Sequence, residues 1–70
     1  MSESYAALTL LSDTPNAHAR EILSKVANGD WDLLTAWGEV ALACLDAPGH
    51  EDWEAASEAV AACARLVWPD

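Results

Sequence analysis

Carboxylates are the side chains in this sequence with the most chemistry to offer, and their arrangement is ordered. Asp32, Glu39 and Asp46 recur every seven residues, which on a helix is two turns, so they form one stripe. Glu51, Glu54 and Glu58, spaced three and four apart, form a second stripe on the following helix. Asp30 and Asp52 stand beside tryptophans where those two helices begin, in the matching triplets Asp30-Trp31-Asp32 and Asp52-Trp53-Glu54. No Lys or Arg interrupts residues 26–64. These eight acids, Asp30, Asp32, Glu39, Asp46, Glu51, Asp52, Glu54 and Glu58, are the candidate partner-binding residues.

Clustered carboxylates can do acid–base work, hold a metal, or attract a cationic surface. Acid–base catalysis needs one carboxyl buried with a raised pKa beside another that stays ionised, and this pattern places all of them on polar faces. A metal would need a recognisable ligand set. Asp46-x-x-x-His50 runs across the helix-breaking Pro48-Gly49, and Asp30-Trp31-Asp32 lacks the loop glycine and closing glutamate of an EF-hand. His50 reads as a first-turn residue among the acids, and His18 as a surface histidine on the polar face of its helix. There is no glycine-rich phosphate loop, no nucleophile elbow, and no serine placed with a histidine and an acid. Asp32-Leu33-Leu34 lacks the hydroxyl that a carrier protein needs in its Asp-Ser-Leu attachment site. The expectation is a protein that is not an enzyme, with no catalytic residues, no metal and no cofactors.

The elements that must position the acids follow from hydrophobic periodicity. Ser2 caps a first helix with Tyr5, Leu8 and Leu11 on its inner face, though Leu8-Thr9-Leu10 also alternates as a strand would. Thr14-Pro15 reads as N-cap and first helical residue of a second helix. Its Ala19, Ile22, Leu23 and Val26 make one apolar face, Glu21 and Lys25 are spaced to pair, and Asn28-Gly29 supplies a left-handed stop. Asp30 caps a third helix that is apolar all round from Val40 to Leu45 and is therefore expected at the centre of the bundle. Ala47-Pro48-Gly49 breaks the chain. A fourth helix carries Trp53, Ala56, Val60, Cys63 and Val67 at spacings of three and four, and Pro69 ends it. The fold class is all-α: one domain over residues 1–70, a small bundle of three to four helices at about 3–12, 15–28, 31–46 and 51–67, closing with a C-terminal antiparallel helical hairpin.

Folding that hairpin about residues 48 and 49 sets position i opposite 97 − i. Cys44 and Cys63 then lie about ten residues apart along the bundle, roughly 15 Å at about 1.5 Å per residue, beyond disulfide reach. Two free, buried thiols are expected, with no basic neighbour to activate either. Trp31 and Trp68 fall at the open end of the hairpin, where they close the core or meet a partner. The smooth alanines 55, 59, 61 and 62 allow close helix approach within the domain or across a dimer.

Charge sets the class of partner. The net charge is −9, of which residues 30–70 contribute −8. Such a field disfavours direct contact with nucleic acid or an anionic membrane and favours a basic protein surface. A basic n-region is missing and no run reaches the roughly 18 apolar residues of a membrane span, so a cytoplasmic chain is expected. A monomer is favoured and a dimer allowed.

In size, helicity and the eight carboxylates named above, the chain resembles the small acidic inhibitors that phages and mobile elements carry against host nucleases, including anti-CRISPR proteins that act as DNA mimics. The resemblance spans the whole chain in character and rests on no shared motif. It implies an inhibitor in the host cytoplasm that occupies the Lys/Arg-lined DNA channel of a nucleic-acid-binding effector complex. The alternative is an immunity-type or regulatory module that recognises one basic protein by shape as well as charge.

Overall fold

The computed structural model of the protein describes residues 2–46 and 51–69. Their regular structure is helical throughout: α1 (Glu3–Leu11), α2 (Ala17–Ala27), α3 (Leu33–Asp46) and α4 (Glu51–Val67). The all-α bundle is thus the fold, with a radius of gyration of 11.0 Å, that of a compact chain of this length. The turn at residues 47–50, including the chain break at Pro48-Gly49 and His50 at the hairpin apex, lies outside the described residues.

Each helix starts where a side chain can take up a free backbone N–H. The Ser2 hydroxyl accepts from Tyr5 N–H, as its position ahead of α1 predicts. α2 begins two residues later than Thr14-Pro15 suggests, because the Asn16 side chain accepts from Ala19 N–H at 3.0 Å and is the better cap. The Thr14 hydroxyl instead donates back to the Leu10 carbonyl at 2.7 Å, closing α1. α3 likewise starts at Leu33 rather than 31. Its cap is Asp32, whose carboxylate accepts from Thr35 N–H at 2.7 Å, and not Asp30.

Asp30 belongs to the end of α2. Its N–H bonds to the Lys25 carbonyl at 2.9 Å and the Gly29 N–H to the Val26 carbonyl at 3.1 Å, the paired closure that a left-handed residue makes possible. Gly29 supplies that residue with φ +83°. The ammonium of Lys25, spaced in the sequence to pair with Glu21, lies 5.2 Å from the centre of the Trp31 ring.

The spine of the bundle is α4, against which α1, α2 and α3 all pack; α3 is not central. Ala56, Val60 and Cys63 of α4 share one core with Ala19, Ile22, Leu23 and Val26 of α2, residues that their spacing places on the apolar faces of the two helices. α1 departs from its predicted face: Tyr5 and Leu8 are exposed, and Ala6 and Ala7 are fully buried. Two adjacent alanines let α1 lie close on α2 and α4, a contact that period counting over large side chains misses. Polar links fix its place, since the Ser4 hydroxyl donates to the Val26 carbonyl at 3.2 Å and the Glu3 carboxylate accepts from Leu33 N–H at 2.6 Å. Arg20 donates to the Leu11 and Thr14 carbonyls at 2.7 and 3.1 Å, satisfying the end of α1.

α3 and α4 run antiparallel in the expected register. Leu33 and Trp37 share a notch with Val60 and Ala64, the residues that the 97 − i rule sets opposite them. Cys44 and Cys63 are both free, Cys63 buried and Cys44 half-buried. Burial, together with the nearby Glu3 carboxylate, pushes the Cys63 thiol pKa up.

Candidate partner-binding surface

All eight acids singled out by their spacing are exposed: Asp30, Asp32, Glu39, Asp46, Glu51, Asp52, Glu54 and Glu58. Two of them also hold the fold together. Asp32 caps α3, and its hydrogen bonds from Thr35 keep its pKa below the ordinary aspartate value. Asp52 accepts from the Asn16 side chain at 3.2 Å, tying the start of α2 to the start of α4.

Three of the other six, Glu39, Asp46 and Glu58, divide between two places. Glu39 and Asp46 of α3 join Glu21 of α2 along an open groove of about 400 Å³ that half-buried Trp31 and Trp53 also line. Glu58 of α4 lines a different groove, with Asp13 and Arg65. The two stripes therefore do not face one cleft. The α2–α3 groove combines carboxylates with indole faces, a lining suited to a guanidinium or ammonium group. Lys25, held over Trp31, already makes one such contact within the chain.

His18 is no free surface histidine. It stacks on Trp53 with ring centres 4.3 Å apart and planes 20° apart, which fixes the Trp53 edge of the groove. Of the three Lys and Arg residues, Arg20 serves the Leu11 and Thr14 carbonyls, Lys25 covers Trp31 at the edge of the acidic groove, and Arg65 lines the groove with Glu58.

Sequence reasoning missed the feature that lies beside the α3 acids. Val40 is buried, but Leu42 and Leu45, expected inside with it, are 59% and 77% exposed, and Leu34 and Trp37 are 80% and 50% exposed. The physical reason is that α3 packs chiefly on α4, so only the side with Leu33, Ala36 and Val40 is covered. Around α3 the surface passes from the acids Asp32, Glu39 and Asp46, through Leu42, to Leu34, Ala41 and Leu45, and then to Trp37. There it meets exposed Trp68 across the α3–α4 notch. The signal was present in the all-round apolar character of the helix, which was assigned to burial.

Among the described residues, no group of three His, Cys, Asp or Glu side chains is close enough to share a metal. No helix among them is long and apolar enough to cross a membrane. No family model, curated protein or solved structure matches this chain.

Proposed function

We propose that this protein is a non-catalytic acidic binding module that occupies the Lys/Arg-lined surface by which a nucleic-acid-binding complex holds DNA, in the manner of the small anti-CRISPR-type inhibitors it resembles. The observation that carries this reading is the exposure of eight carboxylates over a stretch, residues 26–64, that holds no Lys or Arg. An acidic field of this density speeds encounter with a cationic partner and repels nucleic acid itself. The groove of Glu21, Glu39, Asp46, Trp31 and Trp53 gives a partner's Arg or Lys side chain a place to land.

The test begins with capture of partners from the source organism and elution by stepped salt. Duplex DNA should then displace the protein from the captured partner. Reversal of Glu39, Asp46, Glu54 and Glu58 to lysine should weaken binding by at least 100-fold, as removal of several steering and contact charges does. Asp32 and Asp52 are left intact because they hold α3 and α4 in place. Unchanged binding after the fourfold reversal would overturn the reading.

The exposed apolar side of α3 favours a second reading, an immunity-type or regulatory module that recognises a basic protein by shape together with charge. Duplex DNA would then fail to compete, while the fourfold reversal would still weaken binding.

A further inference from the structure

We infer that the apolar belt formed by Leu34, Leu45, Trp37 and Trp68 is the docking site for a basic amphipathic α-helix on the partner protein. This deepens the acidic-module reading and rests on it. All four of these large apolar residues are at least half exposed, and such residues grouped on one side of a domain mark an interaction surface.

Its length fits a helix. Leu34 and Leu45 are eleven residues apart on α3, roughly 16 Å at about 1.5 Å per residue, or three turns of a docked helix. The described residues contain no strand whose edge could pair with an extended peptide. An occupant therefore gains no backbone pairing here and binds through side chains, as a docked helix does. The notch between α3 and α4 has a volume of about 140 Å³ and an entirely apolar lining, enough for one leucine-sized anchor.

Charge decides between occupants. The belt is bordered on α3 by the carboxylates Glu39 and Asp46, and beyond Trp68 on α4 by Arg65 between Glu54 and Glu58, in a chain of net charge −9. A second copy of this chain docking face to face would bring one chain of net charge −9 against another. A helix with an apolar stripe and flanking Lys or Arg meets like with like at the centre and opposite charge along the α3 edge.

Three synthetic peptides of equal charge provide the test, followed by tryptophan emission and calorimetry. One is a Leu/Lys helix with leucines at i, i+3, i+4 and i+7, one is its scrambled isomer, and one is oligolysine. The amphipathic peptide should bind at least tenfold more tightly than the other two and keep measurable affinity at about 0.5 M salt. The double substitution Leu34→Ser with Leu45→Ser, at sites exposed enough to leave the helical circular dichroism unchanged, should cost that peptide at least tenfold while leaving oligolysine binding as it was.

Equal binding of the scrambled isomer, or full affinity of the double variant, would overturn the proposal. So would sedimentation that shows a dimer of the wild-type chain abolished by the two serines, because the belt would then be filled by a second copy. The acidic reading fails separately, by loss of salt dependence and of oligolysine binding, whatever the belt does.

Discussion

α2 and α3 are neighbours in sequence with opposite fates. α3 is much the more hydrophobic helix, yet α2 buries Ile22, Leu23 and Val26 while α3 leaves Leu34, Trp37, Leu42 and Leu45 at the surface. The difference lies in their surroundings. α2 is held between α1 and α4, so its one apolar face is covered on both sides, whereas α3 leans on α4 at the edge of the bundle. A helix's hydrophobicity states how much it has to hide. The number of neighbours decides how much of that is hidden, and the remainder is surface available to a partner.

Substitutions in the two helices should separate accordingly. The largest effect belongs to Leu23→Ala on α2, which empties a fully buried site and should cost about 2–5 kcal/mol, a large share of the roughly 4–10 kcal/mol total of a domain this size. Urea unfolding measures it, and a loss below about 1 kcal/mol would show that α2 is not the buried partner of α4. Ala56→Leu, at the fully buried α4 position facing that interface, should cost about 1–3 kcal/mol by overpacking.

A smaller effect is expected at the start of α3, where Asp32→Ala removes the cap. The folded-state pKa of Asp32 lies below its unfolded value, so its contribution is present above the ordinary aspartate range and is lost as pH falls through the folded value. The stability gap between wild type and Asp32→Ala should therefore close in acid. Asp32→Asn, which keeps a capping oxygen, should retain the helix and flatten that pH dependence.

Smallest of all, Leu45→Ala on the open side of α3 should change stability by less than about 0.5 kcal/mol. A cost like that of Leu23→Ala would mean that α3 is covered after all. Thiol labelling sharpens the same contrast. Half-buried Cys44 on α3 should react with a maleimide well before Cys63, whose thiol is buried against α1 and resists ionisation.

Much of the architecture was legible because it is written in local signals. Ser2 and Asn28-Gly29 each act where their chemistry says a helix must begin or end. The α2 and α4 faces follow from spacing alone, and the exposure of the eight acids follows from the cost of burying unpaired charge. Where local signals competed, the sequence misled. Asn16 displaced Thr14 as a cap and Asp32 displaced Asp30, because capping depends on backbone geometry that neighbouring residues of equal propensity share until the chain folds.

The sequence by itself determined an all-helical chain of three to four helices, the faces of α2 and α4, and an unrelieved band of carboxylates, since each follows from residue type and spacing within one helix. Only the tertiary structure decided that α4 is the spine, that His18 stacks on Trp53, that Glu21 joins Glu39 and Asp46 along one groove, and that the apolar side of α3 faces outward. Those four depend on which helices become neighbours. Periodicity shows that a face is apolar, but it does not say whether another helix of the same chain will come to cover it.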